Sequence, residues 1–272
     1  MENPLAKTIL ITGATDGIGL ATAKMLAHLG HHLVIHGRNN EKLNYVKSEL
    51  TQLSAVDDID TVCADLSQLS EVVNLADKIK SKYQHIDVLI NNAGVFKTPN
   101  PMTQDGLDIR FSVNTIAPYI LSMNLLKTLG RNGRVINLSS AAQSSVEIDA
   151  LKGDKSLSDM EAYAQSKLAI TLWNQVLGKK YKNSGPSFIA VNPGSLLASK
   201  MVKQGFGVAG HDINIGAKIL TDLSMNPQMD SKSGQYFDND KGSFSTPYID
   251  SLDDNKTHNV MSAIEAVSNK YC

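Results

Sequence analysis

Tyr163 and Lys167 stand four residues apart in a segment of helical periodicity, which places a phenol and an ammonium side by side on one helix face. Free tyrosine gives up its proton near pH ~10. A fixed cation close by favours the phenolate and draws that value down, so the pair is suited to moving a proton near neutrality. Tyrosine and lysine at this spacing also recur by chance. The pair gains weight from its company: a glycine-rich opening from Thr12 to Gly19, then Asn91-Asn92-Ala93-Gly94, Asn114 and Ser139-Ser140.

The opening follows an apolar run, Thr8-Ile9-Leu10-Ile11-Thr12, and leads into a helical pattern. Gly13, Gly17 and Gly19 have G-x-x-x-G-x-G spacing. Glycines there let the backbone turn tightly and approach a pyrophosphate, and the helix N-terminus offers unpaired N–H groups and a positive dipole end. Thr15, Asp16 and Ile18 complete the turn. A ligand-free β-α turn is the plainer reading. The second strand ends at His36-Gly37-Arg38, with no acidic residue to hold an adenosine ribose. Arg38 instead offers a planar fork of donors to a 2′-phosphate, which favours NADP(H), with NAD(H) as the second option. Asp16 argues the other way, because a carboxylate close to a phosphate is repulsive. A solvated surface arginine is the bland reading of Arg38.

Alternating elements must position these groups. Strand-like runs at 8–12, 32–36, 60–64, 88–91, 134–138, 188–191 and 235–237 alternate with helical patterns at about 41–53, 70–83, 107–129 (kinked at Pro118) and 159–181. The expected fold is α/β: a single-domain, Rossmann-type, doubly wound parallel sheet of about seven strands with helices on both faces. Two segments break the rhythm, 143–158 and 195–212, and both follow strand ends, where open α/β sheets bind ligands. One domain is expected over 1–272, with a substrate lid at about 195–232 and a C-terminal extension at about 238–272, polar enough to serve a partner.

With 272 residues, 42% of them hydrophobic, the chain suffices for one substantial core. A net charge of −1 gives no footprint for nucleic acid. No 18-residue apolar run is present, so neither a spanning helix nor a membrane partner is expected. The first strand starts too early to leave room for a signal peptide. Cys63 and Cys272 make no disulfide framework, and a cytoplasmic location is expected. His28, His32 and His36 share i,i+4 spacing, but Gly30 and a strand interrupt any helix there, so no metal site is expected.

On these residues the chain resembles the short-chain dehydrogenase/reductase family. The resemblance rests on Thr12-Gly13-Ala14-Thr15-Asp16-Gly17-Ile18-Gly19, Asn91-Asn92-Ala93-Gly94, Asn114, Ser140, Tyr163-x-x-x-Lys167 and Asn192-Pro193-Gly194. It runs from Lys7 to about Phe237, and six motifs in order are specific where each alone is modest. The long interval between Ser140 and Tyr163 is similar to the subgroup of retinol dehydrogenases and WW-domain oxidoreductases. The resemblance implies hydride transfer between NAD(P) and a carbonyl or alcohol. Tyr163 would be the proton donor, Ser140 would bind the substrate oxygen, and Lys167 would lower the tyrosine pKa and hold the nicotinamide ribose. Asn114 would hold a proton-relaying water. Asp65 and Leu66 would contact adenine, Asn91, Ala93 and Gly94 would floor the cofactor site, and Pro193 and Gly194 would border the nicotinamide.

Structural roles compete with each of these. Ser139 and Ser140 could end a strand, Asn114 could pack a helix, and Asp65 could cap one. Gln143 replaces a frequent glycine. The threonine that often follows Pro-Gly is missing from Ser195-Leu196-Leu197-Ala198-Ser199, which leaves Ser199 as the nearest hydroxyl. Leu196, Leu197, Met201, Val202, Phe206 and Val208 make an apolar lid suited to a small apolar aldehyde, ketone or alcohol. Relatives are often dimers or tetramers through helices equivalent to 107–129 and 159–181, so a homodimer or homotetramer is expected. The alternative to an enzyme is a non-catalytic NAD(P)-binding regulatory or interaction protein.

Overall fold

The computed structural model describes residues 6–53 and 59–272. The chain begins β1 (Thr8–Ile11), α1 (Gly17–His28), β2 (His32–Gly37), α2 (Asn40–Leu53), β3 (Ile59–Cys63), α3 (Leu69–Lys82) and β4 (Val88–Asn91). Then come α4 (Ile109–Phe111), a π-helical turn (Ser112–Ile116), α5 (Ala117–Asn124), α6 (Leu126–Leu129), β5 (Arg134–Leu138), α7 (Ile148–Lys152) and α8 (Asp159–Lys180). The last part holds β6 (Ser187–Asn192), α9 (Lys200–Phe206), α10 (Asn214–Met225), β7 (Tyr236–Asp238), β8 (Ser243–Ser245) and α11 (Asp254–Ser268).

The strands form one sheet in the order β3-β2-β1-β4-β5-β6-β7-β8. All neighbours are parallel except β8, which runs antiparallel to β7 and brings the described strands to eight instead of about seven. That hairpin escapes the periodicity because β8 has only three residues, none of them fully buried. Successive strand residues face opposite layers. Ile9 and Ile11 meet the core beneath α1, α2 and α10, whereas Leu10 joins the core beneath α3, α5 and α8. The strand order reverses between β1 and β4, so the loops after these two strands flank a crevice at their carboxyl ends.

The expected helix at 107–129 is broken. Its bend is the π-helical turn before Pro118, which sits in the first turn of α5. Proline has no N–H to offer the carbonyl four residues back, and the wider π turn absorbs that missing bond.

One boundary also differs from expectation. Only α9 and its flanks reach the crevice from the 195–232 segment. α10 lies on the sheet, with Leu220 and Leu223 buried in the α1 layer. Within the 238–272 extension, α11 packs on α7 and α8 and buries Val260, Met261, Ala263 and Ile264. Burying each larger side chain of that set contributes about 1.5–3 kcal/mol, which fixes the helix despite its polar outer face. α11 thereby covers part of α8, a helix expected to face a partner subunit. No described helix is long and apolar enough to cross a membrane.

Candidate active site

A cavity of about 550 Å³ lies across the carboxyl ends of the strands, a volume within the ordinary range for small-molecule sites. Arg38, Asp65 and Leu66 line it near β2 and β3; Tyr163 and Lys167 line it near β5 and α8. Between them stand Gly13, Thr15, Asp16, Gly17 and Ile18 on one side and Ala93, Gly94 and Pro193 on the other.

The glycine turn depends on close approach. Gly13 has φ +65°, and a Cβ there would come within 2.9 Å of the Ala93 Cα. Gly19 lies behind the turn, where a Cβ would be 2.4 Å from both Asn92 Nδ2 and the Gly13 carbonyl oxygen. It is a packing glycine and does not line the cavity. Asn92 donates from Nδ2 to the carbonyls of Thr12 at 2.8 Å and Gly13 at 3.1 Å, locking the β1 and β4 loops together. His36 buttresses the turn from below: Nδ1 accepts the Gly13 N–H at 3.2 Å, and Nε2 bonds the Ala64 carbonyl at 3.0 Å. These partners require the neutral tautomer with the proton on Nε2. Burial pushes the imidazole down to about 4, so it stays neutral at physiological pH.

Asp16 caps α1 by accepting the Gly17 N–H at 2.9 Å, and it also pairs with Lys200 at the start of α9. Burial raises its carboxyl, but the bonds from Lys200 and Gly17 outweigh that and leave it below the usual range. The expected conflict with a phosphate is thus met by a cation already paired with the carboxylate. Lys42, in the first turn of α2, lines the cavity with Arg38. Asp65 turns its Oδ1 onto the N–H and hydroxyl of Ser67, at 3.0 and 2.8 Å. It does not cap α3; Asp105 accepts the Leu69 N–H at 3.1 Å instead.

Asn91 does not reach the cavity lining. Its buried amide donates to Asn137 Oδ1 at 2.8 Å and Ser122 Oγ at 3.2 Å, tying β4 to its neighbours. Strand alternation explains the difference, since the last residue of β4 points into a core layer and the next residue, Asn92, into the crevice.

At the other end, α8 begins with a capping box between Ser158 and Glu161 and carries Tyr163 and Lys167 one turn apart. The Ser140 hydroxyl accepts the Ala142 N–H at 3.1 Å and is close enough to Tyr163 to lower its phenol. Ser139 lines the cavity and Ser140 does not, but the Ser139 Oγ is already engaged with the Lys167 carbonyl at 2.9 Å and the Thr171 hydroxyl at 2.7 Å. Gln143 anchors this turn, donating from Nε2 to Ser139 Oγ at 3.2 Å and to the Ser140 carbonyl at 2.9 Å. Lys167 Nζ donates to the Leu138 carbonyl at 2.7 Å and lies 5.7 Å from the Tyr163 ring centroid. Burial lowers Lys167 to about 7 and raises the Tyr163 phenol, a rise that the Ser140 hydroxyl only partly offsets. Desolvation governs both groups, and Lys167 does not draw the phenol down as expected.

Asn114 sits in the π-helical turn and is fully buried. Its Oδ1 accepts the Val95 N–H at 2.7 Å, and Nδ2 donates to the Val95 carbonyl at 2.9 Å and Ser166 Oγ at 3.0 Å. A Cβ at Gly94 would stand 3.4 Å from Asn114 Oδ1 and 3.6 Å from Lys167 Nζ, so the two polar ends converge on one small space.

The apolar wall differs from the expected lid. Val95, Phe96, Ile109 and Val113 line the cavity, and of the expected lid residues whose side chains are described only Met201 joins them. Leu197 is buried, while Leu196 and Val208 are exposed. The Phe206 side chain lies outside the described residues. Ser199 lines the cavity but uses its Oγ to cap α9 through the Val202 N–H at 3.2 Å. The Phe96 ring stands 5.0 Å from that of Tyr163. Arg110, fully buried, binds Asp108 at 2.8 and 2.5 Å, the Phe96 carbonyl at 3.4 Å, and Asp159 at the start of α8. This ion cluster joins the Phe96 loop to the Tyr163 helix. Nothing in the sequence marked it, because Arg110 and Asp159 stand 49 positions apart with no motif to link them.

A doubly wound sheet with a glycine turn at its switch point and a Tyr-Lys-Ser group across the crevice defines an NAD(P)-dependent oxidoreductase. The short-chain dehydrogenase family model matches residues 7–206, and the chain belongs to that family. It shares 32% identity with human polyprenol dehydrogenase over 86% of this chain and 77% of the relative. It shares 30% with human retinol dehydrogenase 13 over 85% and 76%. These relatives place it in the retinol dehydrogenase-like subgroup. A short-chain dehydrogenase from Shigella flexneri crystallised with NADP superposes with a TM-score of 0.69 at 26% identity, covering 88% of this chain and 100% of that one. A Mycobacterium paratuberculosis protein superposes over 97% of this chain and 93% of its own with a TM-score of 0.79, at 24% identity.

Proposed function

We propose that the protein is an NADP(H)-dependent oxidoreductase that reduces a carbonyl, or oxidises an alcohol, on a small apolar substrate, with Tyr163 as proton donor and acceptor. The observation that carries this reading is the placement of Tyr163 and Lys167 together at one end of a cavity whose other end presents Arg38 and Lys42, with the Ser140 hydroxyl acting on the phenol.

The residues present suit a dinucleotide. The N-terminus of α1 and the close-packed glycines receive a pyrophosphate, and Arg38 and Lys42 receive a 2′-phosphate. The space beside Gly94 that a side chain would fill receives the nicotinamide ribose next to Lys167. A bound nicotinamide supplies or accepts the hydride. The chain's own groups manage the charge and the proton. Ser140 donates to the substrate oxygen as negative charge builds there, and Tyr163 delivers its proton to the same atom. Lys167, buried and held by Leu138, places a cation beside the phenol, favouring its ionised form in the oxidative direction. Phe96, Val95, Val113 and Met201 exclude water from the reacting centre and receive an apolar chain. Relatives named for polyprenol and retinol, both apolar alcohols, support that substrate class.

The test is titration with NADPH and NADH separately, read by nicotinamide fluorescence, followed by a screen of apolar aldehydes and alcohols. Preferential NADPH binding with turnover is expected. Cofactor binding without turnover across the screen would favour a non-catalytic NAD(P)-binding regulatory protein, and binding of neither cofactor would overturn the reading.

A further inference from the structure

The loop after β6 is held far more firmly than a surface connection needs. Asn192, the last residue of β6, accepts the Gly194 N–H on Oδ1 at 3.2 Å. Its Nδ2 donates to Asp238 Oδ1 at 3.0 Å and Asp240 Oδ2 at 2.9 Å. Asp240 then reaches back across 45 residues. Its Oδ1 accepts the Ser195 N–H at 2.8 Å, and its Oδ2 accepts the Ser195 hydroxyl. Asn239 adds two bonds, from its N–H to the Asn192 carbonyl at 3.1 Å and from Nδ2 to the Pro193 carbonyl at 2.9 Å. On its far side the loop pairs with His211, through the Leu196 carbonyl and the Ala198 N–H at 2.7 Å each.

What the clamp holds is a strained backbone. Leu196 has φ 52°, a left-handed conformation that a branched apolar residue rarely adopts. Its side chain is 41% exposed, so burial does not compensate the strain. Strain of this kind persists only where surrounding contacts over-determine it, and it gathers at functional sites. The loop connects Pro193, which lines the cavity, to Ser199, Lys200 and Met201, which also line it. Both hydroxyls of the loop are already engaged, Ser195 with Asp240 and Ser199 with the Val202 N–H.

We propose that Asp240 is a positioning residue that fixes the 193–198 backbone for the nicotinamide end of the cofactor, so that backbone groups, not a side-chain hydroxyl, meet the carboxamide. This rests on the nicotinamide reading given above. Burial raises the Asp240 carboxyl, and the bonds from Ser195 and Asn192 outweigh that, so it is anionic at neutral pH and its two bonds to Ser195 are charge-assisted.

The test compares wild type, Asp240→Ala, Asp240→Asn and Ser195→Ala for binding of NADPH and of 2′,5′-ADP, the fragment without nicotinamide. Asp240→Ala should weaken NADPH about tenfold, the scale of a lost bond to a charged group, and leave 2′,5′-ADP unchanged. Asp240→Asn, which keeps one acceptor, and Ser195→Ala, which keeps the N–H bond, should fall between. Amide exchange at residues 194, 195 and 198 should quicken in ligand-free Asp240→Ala. NADPH affinity unchanged, or equal loss for both ligands, would overturn the proposal. Failure of wild type to bind either ligand would sink the nicotinamide reading instead, and with it the cofactor role of Asp240, whatever the exchange rates show.

Discussion

Lys167 Nζ donates to the carbonyl of Leu138, the last residue of β5, at 2.7 Å. The strand end thus sets where the site's ammonium lies, and only 4% of Lys167 is exposed. Burial brings it down to about 7 from the ordinary ~10.4 of a free lysine. The native state therefore binds fewer protons than the unfolded chain between those values, and stability rises with pH across that window. The cost of the buried cation is full below about pH 7 and gone above about pH 10.4. Urea unfolding of the ligand-free protein at pH 7 and pH 9.5 should show this rise in wild type and its loss in Lys167→Met. Equal pH dependence in both would show that the ammonium is not desolvated.

Arg110 and Asp108 form a buried pair that also holds Asp159 and the Phe96 carbonyl. Removing one partner leaves an uncompensated buried charge, which typically costs about 3–5 kcal/mol. Arg110→Leu should lose stability on that scale by denaturant unfolding, and Asp108→Asn a comparable amount. A change below about 1 kcal/mol, the scale of an exposed ion pair, would mean that the cluster is solvated.

Arg38 and Lys42 stand together at the β2 end of the cavity. Arg38→Asp should weaken NADPH binding more than NADH binding, and Lys42→Ala should act in the same direction more weakly, because lysine offers a point charge and not a fork. Calorimetric titration of both cofactors gives the ratio. An unchanged ratio in the Arg38 variant would remove it from the 2′-phosphate site.

A Cβ at Gly205 would lie 2.4 Å from Phe96 Cε1, so α9 can rest on Phe96 only because this position has no side chain. Phe96 in turn packs on Tyr163. Gly205→Val should push α9 off this wall, raise KM for an apolar substrate and leave NADPH affinity near that of wild type. Loss of cofactor binding together with substrate binding would show that α9 serves the whole cavity.

The alternation of apolar strands with helical patterns foretold the layers, because period-2 and period-3.6 signals are local. The Tyr163, Lys167 and Ser140 group was legible for a similar reason, each residue standing in a short spaced motif. What was missed depends on contacts distant in sequence. Asp240 and Ser195 are 45 residues apart, and Gln143 accepts the Tyr248 N–H across 105. Asn91 and Asn92 look interchangeable in sequence, yet strand alternation sends one into the core and the other to the glycine turn. α11 reads as polar because its apolar residues are few, although they are well spaced to lie along α7 and α8.

The central claim is that Tyr163 moves the proton. The direct measurement is NADPH oxidation with an apolar aldehyde by wild type and Tyr163→Phe, alongside NADPH affinity for each. The account predicts turnover reduced by about 10²–10⁴-fold, the range of general acid catalysis, with cofactor affinity little changed. Full activity in Tyr163→Phe would contradict it.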